Sequence, residues 1–525
     1  MTSTKARWFG LFFLSLGVSL IIVDATIVNV AVPSIIEDLK ITSSQAQWIQ
    51  ETYTLVFAAL LLVFGRLADV YGRRKIFVTG VTIFVASSLI AATATSGEFL
   101  ILARLVQGFG GAMMLPTSLS LLNANFQGRE RGIAFAVWGS TIGGTAALGP
   151  LLGGWLTSNL SWRWAFGINL PLGLMVAVGT LIYVIESKSD EEVSRPDLVG
   201  ALLSIVGIGS VVVGLIEGRT YGWWNSITDE SFLGRQWDSI SPIPVFFALG
   251  AMSLLVFWRY ELNLNRAGKT ALLDLSLFRI ASFRNGNIAA AIVSLGEFGL
   301  LFALPLWLQN VLGYSAFGTG AILLALALGS FAASGAAAQL TGTAGPVKVV
   351  RLGILLELVG VAAIGLVIGV DTSLWLLLPG LFVYGIGVGL ATAQLTGVVL
   401  ADVPVQRSGQ ASGTSSTTRQ LGSALGIAIL GTILFTSFGN SFDAKLTAIG
   451  VPDAGRTELT NVAVATAGSI LPIWNQSEET EPLATAGGEA LSEASRYAAF
   501  AGAGFLLLGF LSTFRLTPTA PFKDQ

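Results

Sequence analysis

The chain has 525 residues, 53% of them hydrophobic and only 11% charged, with 62 glycines and a net charge of −2. Soluble globular domains carry roughly 25% charged residues, so this composition excludes that class. Cysteine and histidine are absent, which excludes disulfides, thiolate or imidazole metal sites and imidazole proton relays, and leaves any proton chemistry to carboxylates.

Apolar runs of about 20 residues, the length that crosses the hydrocarbon core, recur from end to end and predict an all-α, polytopic membrane protein. The alternating ten-residue segments of a membrane barrel are missing. Lys5 and Arg7 precede the run 8–23, which continues past signal-peptide length and reads as an uncleaved first span. Fourteen spans are predicted: 8–32, 46–65, 75–95, 98–122, 132–157, 163–185, 197–217, 242–260, 284–309, 317–340, 347–369, 374–396, 411–436 and 496–516. Most of the 29 lysines and arginines then fall on one side, with Arg66, Arg73, Arg74 and Lys75 as the densest group. That bias predicts both termini in the cytoplasm. Trp48, Trp162, Trp164, Trp307 and Trp375 sit at predicted outer ends and are expected to be interfacial anchors.

The order is six spans (1–187), two inserted spans (188–262), a cytoplasmic linker (263–283) and six spans (284–525). The Leu272–Arg279 pattern in the linker suits a short helix on the membrane surface. The long segment 437–495, rich in Gly, Thr and Glu, reads as an outer loop that could fold over the outer mouth. After span 2 comes Gly65-Arg66-Leu67-Ala68-Asp69-Val70-Tyr71-Gly72-Arg73-Arg74-Lys75. On charge alone it reads as a cytoplasmic turn, but its Gly-x-x-x-Asp-x-x-Gly-Arg-Arg spacing is more specific. Two six-span units invite a search for a repeat. At the corresponding place Gly345 aligns with Gly72 and Lys348 with Lys75, while Asp69 aligns with Gly342.

Ionisable residues inside a bilayer are costly and mark functional sites by default. Asp24 lies in span 1, and a structural carboxylate held by hydrogen bonds is the competing reading. In span 4, Arg104, Gln107, Gly108 and Gly111 share one helical face. The glycines admit a neighbouring helix, and Arg104 then needs a buried partner, a carboxylate or a carbonyl. Glu297 in span 9 lies about 20 Å from its inner helix end and is assigned to substrate or proton. Glu357 in span 11 reads equally as functional or structural. Glu51 and Glu217 are near span ends and read as interfacial. In span 5, Gly149, Pro150, Gly153 and Gly154 combine a kink with a smooth packing face. A phosphate-binding loop is missing, because Gly268-Lys269-Thr270 has Asn263 where the upstream glycine belongs. No nucleophile–base set or metal cluster appears, so neither an enzyme nor an ATP-driven pump is expected.

These motifs resemble the major facilitator superfamily, in particular its fourteen-span drug:proton antiporters. Residues 65–75 resemble motif A, Asp24 to Pro33 the span-1 motif with Val32 replacing the usual Leu, Arg104-Gln107-Gly108 motif B, and Gly149-Pro150 with Gly153-Gly154 the antiporter motif C. Ser161 to Phe166 followed by Asn169-Leu170-Pro171 is a further family string. The resemblance implies a major facilitator fold of two six-helix bundles plus two inserted helices. It implies export of hydrophobic or amphipathic small molecules such as antibiotics, driven by the proton gradient without a cofactor, from a monomer in the bacterial cytoplasmic membrane, with no nucleic-acid partner. Gly65, Asp69, Gly72, Arg73 and Arg74 would form a gate latch. Asp24, Arg104, Glu297 and Glu357 would couple to protons, and Asp24, Asn29, Gln107, Glu297 and Gln309 would face a substrate cavity. Span 13 lacks the acidic residues of some relatives, which argues against cationic drugs as the preferred class. An exporter of an endogenous lipid, siderophore or metabolite, or a non-transporting sensor or scaffold, are the alternatives.

Overall fold

In hydrocarbon an unpaired backbone N–H or C=O costs several kcal/mol, and a helix pairs all but those at its ends. The computed structural model is accordingly helical along nearly its whole length. It describes residues 4–516 apart from 42, 190–196, 228–231, 233–234, 238 and 270. The first half comprises α1 (Thr4–Leu39), α2 (Ser43–Tyr71), α3 (Arg73–Ala92), α4 (Gly97–Asn125), α5 (Gly128–Asn159), α6 (Trp164–Gly167) and α7 (Asn169–Tyr183). The inserted pair is α8 (Leu198–Tyr221) and α9 (Ile243–Arg266). The second half holds α10 (Ala281–Asn310), α11 (Ala316–Ala344), α12 (Pro346–Val367), α13 (Leu374–Val399), α14 (Ser408–Ala448), α15 (Asp453–Ala465), α16 (Leu471–Trp474) and α17 (Glu481–Ser512). Every predicted span falls on a helix, the sixth on α6 and α7 together. Twelve helical segments are long and apolar enough to cross a membrane among the described residues. The other two predicted spans are α5 and α11, of 32 and 29 residues. Among the described residues, Phe317–Ala333 of α11 is an apolar stretch.

Glycine sets two kinds of feature. The turn between α2 and α3 is made by Gly72 at φ 110, and the turn between α11 and α12 by Gly345 at φ 83. Both are conformations that L side chains rarely adopt, so the two halves share this corner although only the first keeps the acid. The Glu186 carboxylate occupies the space a side chain at Gly72 would need. It accepts from the Arg74 and Lys75 amides at 2.9 and 3.1 Å, satisfying free donors at the start of α3. Close helix approach is the second feature. A Cβ on Gly110 would lie 2.7 Å from the Phe84 nitrogen, and one on Gly360 would lie 2.6 Å from the Tyr384 nitrogen. The third and fourth spans of each half therefore pack backbone to backbone.

Between the halves, α5 runs against α11 and α13, and α2 against α14. The inserted helix α8 flanks the α2–α14 seam, with Ala58, Ile208 and Val212 packed against Leu421. Outside it α9 exposes Leu249, Met252 and Leu255.

Three expectations are corrected. The linker forms a short helix of 3-10 type, Leu275–Arg279, but its neighbouring leucines turn inward rather than outward. Leu272, Leu273 and Leu277 are buried, the last in a cluster that joins Leu119 and Phe126 of one half to Val399 and Ala411 of the other. Segment 437–495 is largely helical rather than a loop. Here α14 extends to Ala448, and Lys445 bonds Glu489 at 2.9 Å while Phe442 stacks on Trp474. Third, Trp164 and Trp375 are exposed as anchors should be, whereas Trp162 and Trp307 are buried. Their indole N–H groups both find partners, Trp162 the exposed Asp38 at 3.0 Å and Trp307 the buried Ser492 at 3.2 Å. Asp38 also accepts from Arg163 at 2.7 Å. That bond, followed by the one from Trp162, holds the Asp38 carboxyl below its usual range.

The close α3–α4 contact makes a direct prediction. Gly110→Ala drives a methyl group into the α3 backbone, an overpacking that costs about 1–3 kcal/mol. A clear fall in the thermal unfolding midpoint in detergent is expected. Gly504→Ala, where nothing lies within 4 Å, should leave the midpoint unchanged or raise it slightly.

Candidate functional site

Three polar nodes are built from the residues the sequence singles out. The first lies in the first half. A carboxylate taken out of water must be paired and hydrogen-bonded to be stable, and Asp24, fully buried in α1, is both. It forms an ion pair with Arg104 of α4 and accepts from Gln107 and Asn169 at 2.8 Å each. Ser88 of α3 accepts from the same two amides at 2.8 and 3.2 Å. Arg104 spreads its other donors over the Ile49 carbonyl at 3.1 Å and Gln107 at 2.6 Å, and its guanidinium lies 4.2 Å from the Tyr53 ring centre. The stripe read from the spacing is real: Gly108 and Gly111 admit Tyr53 and Phe57 of α2 beside Arg104. Asp24 and Gln107 face this network, so their contacts are with protein groups of one half.

The second node is looser. Glu297 of α10 is 4% exposed. Arg419 of α14 lies 3.8 Å away, Thr392 donates to Glu297 at 3.2 Å, and the Tyr384 hydroxyl donates to its main-chain carbonyl at 3.3 Å. Glu357 of α12 is fully buried, and neither carboxyl oxygen accepts a hydrogen bond among the described residues. It does not pair with Arg351, which donates to the Thr513 carbonyl at 3.2 Å. Glu357 instead feels the charges of both Glu297 and Arg419. Gln309 is half-buried next to the end of α10, about 18 Å along the helix from Glu297.

The third node joins the halves. Asp69 is fully buried at the end of α2. It accepts from Arg73 Nη2 at 2.7 Å and Nε at 3.1 Å, and from the Gly409 and Gln410 amides at 2.8 and 2.9 Å. Those amides open α14, where the helix leaves donors free and its dipole favours an anion. Arg73 also donates to the Val405 carbonyl at 2.5 Å. A Cβ on Gly65 would lie 2.5 Å from the Gly409 carbonyl, so this contact excludes side chains. Further bonds between the halves cluster at the same basic end: Asn123 to Ser408 at 2.7 Å, Gln394 to the Gly132 carbonyl at 3.3 Å and Arg131 to the Gly397 carbonyl at 3.4 Å. Arg74 stays within its own half, donating to the Val184 carbonyl at 3.1 Å.

In α5 the glycines serve both sides of the helix. A Cβ on Gly149 or Gly153 would strike Thr26 or Ile27 of α1, and one on Gly154 would lie 3.2 Å from Phe317 of α11. The side chains of Asn29 and Pro150 lie outside the described residues.

Asn169, Ser88 and Arg419 complete these nodes without having been singled out as site residues from the sequence. Asn169 stands in a family string, but nothing in its spacing points to Asp24.

The chain belongs to the Major Facilitator Superfamily, whose profile matches residues 14–427. Its relatives include the probable actinorhodin transporter of Streptomyces coelicolor, 36% identical over 81% of this chain and 72% of that protein. The multidrug resistance protein Stp of Mycobacterium tuberculosis is 32% identical over 96% of this chain and 90% of that one. The puromycin resistance protein pur8 of Streptomyces alboniger is 32% identical over 81% and 82% respectively. The human organic anion transporter MFSD10 (TETRAN) shares the fold, with a TM-score of 0.60 at 14% identity over 98% of this chain and 100% of that one.

The first node generates a non-additive prediction. Asp24→Ala leaves Arg104 buried without its counter-ion, at a cost of about 3–5 kcal/mol. Asp24→Ala combined with Arg104→Leu removes both charges and should recover much of the lost thermal stability. Additive losses in the double variant would show that the two residues do not act as a pair.

Proposed function

We propose that the protein is a transporter rather than an enzyme. It exports hydrophobic or amphipathic small molecules, antibiotics and other drugs among them, across the bacterial cytoplasmic membrane in exchange for protons. The observation that carries this reading is the separation of polar roles: a buried carboxyl network in each half, and a polar latch between the halves at one end. The names of the relatives, transporter and resistance proteins for actinorhodin and puromycin and a multidrug resistance protein, support the substrate class.

The basic end and both termini face the cytoplasm, and the arrangement described is the one closed on that side. Proton exchange then acts through partner exchange. A proton on Asp24 removes the charge that balances Arg104 and turns one acceptor oxygen into a donor, so the contacts that fix α1 against α4 and α7 must change. Glu297 and Glu357 share Arg419, and a substrate that engages either carboxyl competes with the proton for it. Either ligand shifts the balance of conformations by its different affinity for the two states. Repeated opening of the latch on alternate sides gives export by a monomer, with the proton gradient as its energy source.

Everted membrane vesicles with a proton-loaded lumen test this. A panel of neutral, anionic and cationic amphiphiles should include compounds whose uptake collapses with a protonophore, and Asp24→Asn should slow that uptake at least tenfold, a barrier change of about 1.4 kcal/mol. Uptake supported by ATP without a gradient, or wild-type uptake by Asp24→Asn, would contradict the coupling. Transport confined to an endogenous lipid, siderophore or metabolite would replace the drug assignment.

A further inference from the structure

A cavity of about 820 Å³ lies at the basic end, outside the two carboxyl networks and beside the latch. Its volume is in the range of small-molecule sites. The lining includes Arg66, Arg266, Lys269, Arg279 and Arg407, and its acidic member is Asp274. Asp274 is bonded to Arg407, whose Nη1 also donates to Ser276 at 2.9 Å. The walls therefore hold a clear excess of positive charge. Arg266, Lys269 and Arg279 are exposed members of this lining. Such an enclosure suits a phosphate-bearing anion.

The surroundings select the source of that anion. Trp258 and Phe278 also line the cavity, with ring centroids 5.9 Å apart. Leu255, Trp258 and Leu262 follow one another at i, i+3 and i+7, on one stripe of α9. Leu262 lines the cavity, Trp258 lines it and is 46% exposed, and Leu255 beyond them is 66% exposed. The stripe thus leads from the basic enclosure onto an apolar surface. A molecule with an anionic head and an acyl tail matches both parts, whereas a free phosphate uses only the first.

The cavity is also assembled from parts that need not move together. Arg66 belongs to the first half, Arg407 and Gln410 to the second, and Arg266 to Arg279 to the inserted pair and linker. Gly65, next to Arg66, packs on Gly409, and the Gln410 amide donates to Asp69 at 2.9 Å. Parting the halves at the latch takes the cavity apart.

We propose that this cavity is a headgroup site for an anionic phospholipid of the adjacent leaflet, with acyl chains along the Leu255–Trp258 face of α9, and that its occupancy favours the arrangement closed at the basic end. A ligand that fits one arrangement and not the other shifts the balance toward the one it fits. The proposal holds whatever compound the protein exports.

The full-length protein in nanodiscs of phosphatidylcholine, with or without phosphatidylglycerol, provides the test. Native mass spectrometry should show retained phosphatidylglycerol on the wild type, reduced more than about tenfold in the Arg266→Gln/Lys269→Gln/Arg279→Gln variant. Lys269→Glu alone, at an exposed position, should give a smaller loss and covers a folding failure of the triple variant. The chain has no cysteine, so spin labels at Tyr71→Cys and Val405→Cys, both exposed, report the distance across the basic end. Phosphatidylglycerol should shift that distance toward the short population in the wild type and not in the charge variants. Equal lipid retention by the wild type and both variants would overturn the site, and retention without a distance shift would overturn its effect on closure. A shift reproduced by inorganic phosphate in phosphatidylcholine discs would overturn the lipid assignment in favour of a free anion.

Discussion

Asp69 offers one carboxylate to partners on both sides of the molecule: Arg73 within its own half, and the first free amides of α14 in the other. Helix starts seek an acceptor, and usually a nearby side chain of the same helix supplies it. Here the other half supplies it, so completing α14 and closing the basic end are the same event. Arg73 extends the bond to the Val405 carbonyl, and Asn123, Arg131 and Gln394 add neutral or charge-assisted bonds around it. Polar bonds suit a joint that must open, because water replaces most of what each one contributes. Where Gly65, Gly409 and Gly413 meet, α2 and α14 touch without side chains between them.

The two halves repeat their backbones and differ in their polar satisfaction. Gly72 and Gly345 make the same corner, and the third and fourth spans of each half pack through glycine. Each half carries a carboxylate near the middle of its first helix, Asp24 in α1 and Glu297 in α10. Asp24 is held by three side-chain donors from α4 and α7. Glu297 has one hydroxyl and a guanidinium at 3.8 Å, and Glu357 beside it has no donor among the described residues. A saturated network resists rearrangement, while an under-satisfied one has more to gain from a proton or a ligand. On the proposed mechanism the first half changes partners only when a proton reaches Asp24, and the second is the side where partners exchange at least cost. The latch is likewise single, because Gly342 stands where a second acid would be.

Much of this architecture is legible in the sequence, and the reasons are local. Apolar runs, basic turns and glycine corners state where each helix lies. Arg104 and Gln107 announce a buried partner because a charge in a span must have one. Long-range complements are a different matter. Asn169 and Ser88 carry no charge and sit in ordinary apolar helices, so only the packing of α7 and α3 on α1 brings them to Asp24. Arg419 is 122 residues from Glu297, and no periodicity links them. Segment 437–495 reads as a loop because it is polar. Its helices are held by cross-segment contacts such as Lys445 with Glu489 and Glu493 and Arg456 with Asp443, which its own composition does not reveal. The linker misleads in the opposite sense: its leucines suit a membrane surface, but Leu277 is buried between the two halves and Leu272 and Leu273 against α2 and the inserted pair.

The central claim is that Asp69 sets the conformational balance by completing α14 from the other half. Ser412, fully buried near the start of α14, offers a direct reporter as Ser412→Cys in a chain without native cysteine. In everted vesicles its alkylation by a membrane-impermeant maleimide should be slow, and Asp69→Asn should accelerate it by about tenfold, the effect of losing roughly one charge-assisted hydrogen bond. An unchanged alkylation rate in Asp69→Asn, accompanied by weakened drug binding, would contradict the account and place Asp69 in substrate recognition instead.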